Sequence, residues 1–180
     1  MKTLLVPGWM KSVSFYKNFE GLDVWKKDFI LADHRSVECV VAHSMGAAYA
    51  LVEESIGNES TFYVLVNPVT TKISFVSWLW RWIKFAFAGG IRIDPSMSPK
   101  NIFSAARKAI KISGHDLDSI VAKMPKENIV IVRGNRDRYF CDEGVVRSAR
   151  KSGLEVVEVD GLGHEWDEKF ENVISELVSR

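Results

Sequence analysis

Five short apolar runs limit what this chain can become: TLLV (3–6), VECVV (37–41), TFYVLV (61–66), NIVIV (128–132) and EVVEV (155–159). They are rich in β-branched and aromatic residues, and most are apolar almost without interruption, as strands covered on both faces are. The stretches between them are too long for hairpins, and several carry helical periodicity. After the last run, Trp166, Phe170, Val173, Ile174 and Leu177 fall on one helical face. Strands alternating with helices predict an α/β chain, a mostly parallel sheet with helices on both faces. Helices are expected over 14–19 and 45–56. LDVW (22–25) is expected as a sixth strand and KKDFILADHR (26–35) as its crossover helix, because a parallel connection needs about a dozen residues.

Residues 72–126 break this alternation. ISFVSWLWRWIKFAFAGG carries Phe75, Trp78, Trp80, Trp82, Phe85 and Phe87, with only Arg81 and Lys84 as charges. Further helical patterns follow over 98–112 and 116–123. A helix apolar nearly all round must be covered on several sides, or it meets ligand or lipid. The expected organisation is a core of 1–71 and 127–180 with a helical lid, 72–126, inserted between strands. Trp78, Trp82 and Phe85 are its candidate pocket residues. The insertion holds ten basic and three acidic side chains, a net +7 against −6 for the remainder. A basic, aromatic lid suits an apolar acyl group on an anionic carrier or surface. A solvated basic face over core aromatics is the competing reading.

The net charge of +1 gives no steering towards nucleic acid. Cys39 and Cys141 lie far apart in sequence without metal-ligand spacing, as expected of thiols in a reducing compartment. Pro7-Gly8 ends the first apolar run too early for a signal peptide, and no apolar run reaches about 18 residues. A cytoplasmic chain with no transmembrane segment, no metal site and no cofactor is expected.

The chemistry concentrates at VVAHSMGAAYA (40–50), where a β-branched run gives way to small helix formers around Ser44. Two readings compete. Ser44 is either the N-cap of an ordinary helix or a nucleophile on a strained strand-to-helix turn. The second needs small neighbours two residues away, and Ala42 and Gly46 supply them. Such a turn also aims the Met45 amide, at a helix N-terminus, at charge forming beside Ser44. A serine nucleophile needs a base, and the base an orienting carboxylate. In a doubly wound sheet these lie beyond the carboxyl ends of strands. Asp137 follows the 128–132 run; His164 follows the 155–159 run in a loop loosened by Gly161 and Gly163. The competing readings are a loop aspartate paired with Arg136 or Arg138, and a surface imidazole. His43 is expected to point into the core.

Taken together, Pro7-Gly8-Trp9, Ala42-His43-Ser44-Met45-Gly46, Gly134-Asn135-Arg136-Asp137 and Gly161-Leu162-Gly163-His164 resemble the motifs of α/β-hydrolase-fold serine hydrolases, in the same order. The resemblance spans the chain, which begins at what would be the family's third strand and so shortens the sheet to about six. It implies Ser44, Asp137 and His164 as catalytic residues, with the Trp9 and Met45 amides binding an oxyanion. It implies a carboxylic ester or thioester substrate and no cofactor. The Gly-Trp turn and basic lid are also similar to esterases acting on a pimeloyl chain held by acyl carrier protein. That makes an acyl carrier protein an expected partner. A catalytically silent binding module and a lipid-surface esterase are the alternatives.

Overall fold

A computed structural model describes residues 1–180 except 54, 70–73, 89, 93, 114, 116 and 180, and omits the side chains of Phe75 and Asp118. Five strands form one sheet: β1 (Thr3–Val6), β2 (Cys39–His43), β3 (Phe62–Val66), β4 (Ile129–Gly134) and β5 (Glu155–Val159). All pairs are parallel and the spatial order is β1-β2-β3-β4-β5. The helices are α1 (Met45–Val52), α2 (Phe75–Phe87), α3 (Pro99–Ser113), α4 (Leu117–Lys123), α5 (Glu143–Lys151) and α6 (Glu168–Val178).

Strand alternation sends side chains to two separate cores. Leu5, Cys39, Val41, Val64, Val66, Val130 and Val132 face α6, where Phe170, Ile174 and Leu177 cover them. Val6, Val40, Ala42, Leu65, Ile129 and Ile131 face the other helices, including buried residues of α1 to α5. That double burial explains the nearly unbroken apolar runs.

Three expectations fail between β1 and β2. A sixth strand at 22–25 does not form among the described residues. Only Gly21 bridges Leu5, through Leu5 N to Glu20 O and Leu22 N to Leu5 O, both 2.9 Å. A Cβ at Gly21 would lie 2.3 Å from the Leu5 carbonyl oxygen, so this approach requires glycine. The chain then turns, with Lys26 N on Asp23 O (2.9 Å), while Trp25 Nε1 donates to Pro7 O at 2.8 Å. Burying Trp25 against the end of β1 is incompatible with continuing along the sheet edge.

Nor is 26–35 a helix. The Asp33 carboxylate accepts from the Arg35 amide and guanidinium at 3.0, 3.0 and 2.8 Å, a local turn that competes with helix. Residues 14–19 form no α-helix, only a 3₁₀ turn at Val13–Phe15. Helix α1 also stops short of 56: beyond Val52 the chain leaves to let Ser55 O accept from His34 N at 2.7 Å.

Between β3 and β4 the helices α2, α3 and α4 occupy the stretch expected to be helical. Residue 72, which opens the predicted insertion, and residue 116, one of its three acidic residues, lie outside the described residues. Lys108, counted with the basic surface, is tied down: its Nζ donates to the Val24 carbonyl at 2.5 Å and that of Lys26 at 3.2 Å.

Candidate active site

Strand β2 ends at His43 and α1 begins at Met45, leaving Ser44 alone at the turn with φ 53° and ψ −122°. A non-glycine residue with positive φ is strained by its Cβ. Gly46 permits the tight crossing, since a Cβ there would lie 2.4 Å from Pro7 O and 2.5 Å from Val6 O. The serine makes no side-chain cap on α1. Its Oγ lies instead 2.7 Å from His164 Nε2, so the N-cap reading is set aside.

His164 Nδ1 lies 2.6 Å from Asp137 Oδ2. A carboxylate can only accept, so Nδ1 carries the proton and the Nε2 lone pair faces Ser44. Asp137 is fully buried. Its oxygens also accept from the amides of Tyr139 (3.0 Å), Phe140 (3.2 Å) and Cys141 (3.1 Å). Burial alone would raise this carboxyl, but the imidazole and the Tyr139 and Phe140 amides outweigh it and hold it below its ordinary value. Asp142, five residues on, faces elsewhere and caps α5 through the Gly144 and Val145 amides.

Of the groups that support this line, the sequence singles out His43, expected in the core, but not its partners. His43 is buried, with Nε2 3.0 Å from the His164 carbonyl and Nδ1 2.8 Å from Tyr16 Oη. A carbonyl accepts only, so Nε2 donates and Nδ1 receives the Tyr16 proton. The Gly8 amide donates to the same Tyr16 oxygen at 2.8 Å. Burial, with His164 nearby, lowers His43 to about 3 and fixes it neutral.

Asn67, at the end of β3, donates through Nδ2 to Gly163 O (2.9 Å) and His164 O (3.0 Å) and accepts from Gly134 N at 2.9 Å. It also stands at φ 44°, a conformation that asparagine tolerates well. Arg133 lies buried beneath the acid's loop, paired with Glu143 at 2.8 Å and donating at 3.4 Å to the carbonyls of Asn135 and Asp137. An arginine inside the run IVIVRG was a readable signal, because a buried charge must find partners. Asn67-Pro68 reads only as a strand-ending turn.

The space beside Ser44 is small, about 30 Å³, and walled by Trp9, Trp78, Trp82, Phe85, Phe140 and Lys11 among others. Trp9 meets Trp78 and Trp82 edge-on at 4.6 and 5.1 Å between ring centres. Phe140 and Phe85 stand 4.4 and 5.4 Å from the His164 ring. The three candidate pocket residues on α2 are thus all at the site. Lys11 pairs with Glu165 at 3.1 Å, and burial lowers its ammonium against that partner's pull. A larger hollow of about 670 Å³ lies away from Ser44, lined by Leu51, Ile56, Tyr63 and Met124 among others. It contains none of these chemical groups.

Met45 opens α1, so its amide is among the first N–H groups with no acceptor inside the helix. Trp9 follows β1 two residues beyond Pro7. Among the described residues no group of three or more His, Cys, Asp or Glu could hold a metal, and no helix is long and apolar enough to cross a membrane.

No protein-family model matches this sequence, and no curated protein matches it. Solved structures do match in three dimensions. A thermophilic esterase from Thermogutta terrifontis is 16% identical with a TM-score of 0.67, covering 98% of this chain and 89% of its own. An enol-lactonase from Burkholderia xenovorans is 13% identical with a TM-score of 0.65, over 98% and 89%. An N-formylmaleamic acid deformylase from Pseudomonas putida is 15% identical with a TM-score of 0.62, over 96% and 90%. At such identities the likeness speaks for architecture alone. With its parallel sheet, Ser44 at the strand-to-helix turn and helices inserted between β3 and β4, the chain has the α/β-hydrolase fold.

Proposed function

We propose that the chain is a serine hydrolase of carboxylic esters or thioesters with a short apolar acyl group. The observation that carries this reading is the continuous hydrogen-bonded line Ser44 Oγ, His164 Nε2, His164 Nδ1, Asp137 Oδ2, with steps of 2.7 and 2.6 Å. In this reading Nε2 takes the hydroxyl proton as Ser44 Oγ attacks the acyl carbonyl. Asp137 holds the tautomer and stabilises the imidazolium that forms. The Met45 and Trp9 amides bind the oxyanion. The imidazolium then gives its proton to the departing alcohol or thiol. Water, deprotonated by the same nitrogen, frees Ser44 from the acyl-enzyme.

The helices α2 to α4 act as a lid. With α2 in its present position, the space of about 30 Å³ beside Ser44 holds about two waters. Longer acyl chains require α2 to shift. Among the similar folds are proteins named as an esterase, an enol-lactonase and a deformylase, names that agree with the chemistry proposed.

A fluorophosphonate probe tests the assignment. The folded chain should gain one adduct, at Ser44 by peptide mapping, and Ser44→Ala should gain none. Labelling of Ser44→Ala at the wild-type rate, or no adduct on the folded wild type, overturns it in favour of another nucleophile or a binding module.

A further inference from the structure

Helix α2 is apolar on two sides, and the site uses only one. Trp78, Trp82 and Phe85 turn inward. On the opposite side Val76, Trp80 and Phe87 are 75%, 58% and 90% exposed, with Ile83 on the same stripe. Lys84 flanks them, its Nζ 5.5 Å from the Trp80 ring centre. Helix α3 repeats the spacing. Phe103 and Ile110 are 79% and 53% exposed, with Arg107 and Lys111 between and beside them. Neither helix contains a carboxylate. Large apolar side chains left in water on adjoining stretches mark an interaction surface.

We propose that the outer faces of α2 and α3 dock the protein onto an anionic lipid surface. The mixture is the one an interfacial helix needs, with aromatic and aliphatic side chains for the acyl boundary and cations for the headgroups. Charge complementarity selects the occupant: neither helix carries an acidic side chain and Lys84 and Arg107 stand on these faces, while Lys111 is drawn to Glu53 of a neighbouring segment at 4.0 Å. A second copy of the chain would bring Lys84 and Arg107 against their own kind. An acidic carrier protein recognised through its charge would leave Phe87 and Phe103 in water. Rings projecting from a convex helix suit a yielding medium better than a rigid partner. Docking there would bring the cavity beside Ser44 to the bilayer, since α2 is the wall between the two.

The test uses the full chain with Ser44→Ala, so that binding is read independently of any hydrolysis. It should float with phosphatidylcholine vesicles containing about a third phosphatidylglycerol, and stay behind with phosphatidylcholine alone. Brominated acyl chains should quench part of its tryptophan emission, a readout that needs no surface variant. Trp80→Ser with Phe87→Ser should lower partitioning about tenfold or more, as should Lys84→Glu with Arg107→Glu, without lowering the melting temperature. Failure to float with the anionic vesicles overturns the proposal. So does flotation insensitive to the aromatic pair, which is adhesion by charge alone. A concentration-dependent dimer dispersed by Trp80→Ser would assign the face to a second copy instead.

Discussion

The imidazole of His43 holds the main chain of His164: its Nε2–H donates to the His164 carbonyl across 3.0 Å, deep in the protein. The residue before the proposed nucleophile thereby positions the residue proposed as its base. Because Tyr16 links His43 to the Gly8 amide, the loop after β1, the serine turn and the histidine loop share one hydrogen-bonded path.

This link makes stability depend on pH. Unfolded, His43 takes a proton near pH 6.5; folded, it does so only near 3. Between those values the unfolded state binds more protons, so stability falls as pH falls. The slope from this residue approaches about 1.4 kcal/mol per pH unit. His43→Gln cannot titrate. Its melting temperature should be lower at pH 7 but decline less steeply from pH 6.5 to 4. Parallel curves for the two proteins would contradict the buried neutral imidazole.

Asn67→Ala should destabilise the chain by about 3 kcal/mol, because two carbonyls and the Gly134 amide lose a buried partner at once. Ester turnover should fall as well, since the carbonyl of His164 loses one of its two anchors. Chemical denaturation and initial rates measure the two effects separately.

The strain at Ser44 predicts opposite effects on stability and activity. Glycine accepts φ 53° without a Cβ penalty, so Ser44→Gly should raise stability by about 1 kcal/mol while abolishing ester hydrolysis. Ser44→Ala should abolish hydrolysis equally and keep the strain. A lower melting temperature for the glycine variant than for the alanine variant would count against a strained turn.

Two aspartates five residues apart should separate cleanly. Asp137→Asn should reduce turnover by roughly 10³ to 10⁴, through the wrong imidazole tautomer. Asp142→Ala should leave turnover near the wild type and lower stability by about 1 kcal/mol, through loss of the α5 cap. A steady-state assay with p-nitrophenyl acetate and a thermal melt distinguish them.

If Trp82 limits the acyl pocket, Trp82→Ala should raise kcat/KM for p-nitrophenyl hexanoate relative to the acetate by tenfold or so, as a bulky wall is removed. An unchanged ratio would mean that α2 moves as a whole when long chains enter.

The strands that carry the site were legible because β2, β3 and β4 are buried on both faces and so read as apolar runs, while β5, exposed at Glu155 and Glu158, was legible from its valines. Ser44, Asp137 and His164 were legible because a strand-to-helix turn flanked by Ala42 and Gly46, and two loops after strands, leave few other places for such groups. Residues 22–35 were misread because their conformation is set by particular side chains. Trp25 reaches back to Pro7 and Asp33 folds onto Arg35, and neither bond leaves a periodicity in sequence. The roles of Asn67 and Tyr16 escaped for a related reason. Their partners, Gly134, Gly163, Gly8 and His43, lie on other elements and are mostly main-chain atoms, to which side-chain patterns are blind.

The simple order of the sheet has a practical consequence. Ser44 follows β2, Asn67 follows β3, Asp137 follows β4 and His164 follows β5, one chemical part for each successive strand. Among the described residues β5 pairs only with β4, and the turn before it includes Gly153, exposed at φ 81° with no atom crowding it. Opening the backbone at Gly153 would place the proposed nucleophile and its carboxylate on one fragment and the proposed base on the other. Neither fragment would hold a complete set. Fused to two proteins under study, the pieces would form a complementation sensor, silent apart and hydrolytic only when their hosts bring β5 back to the edge of β4.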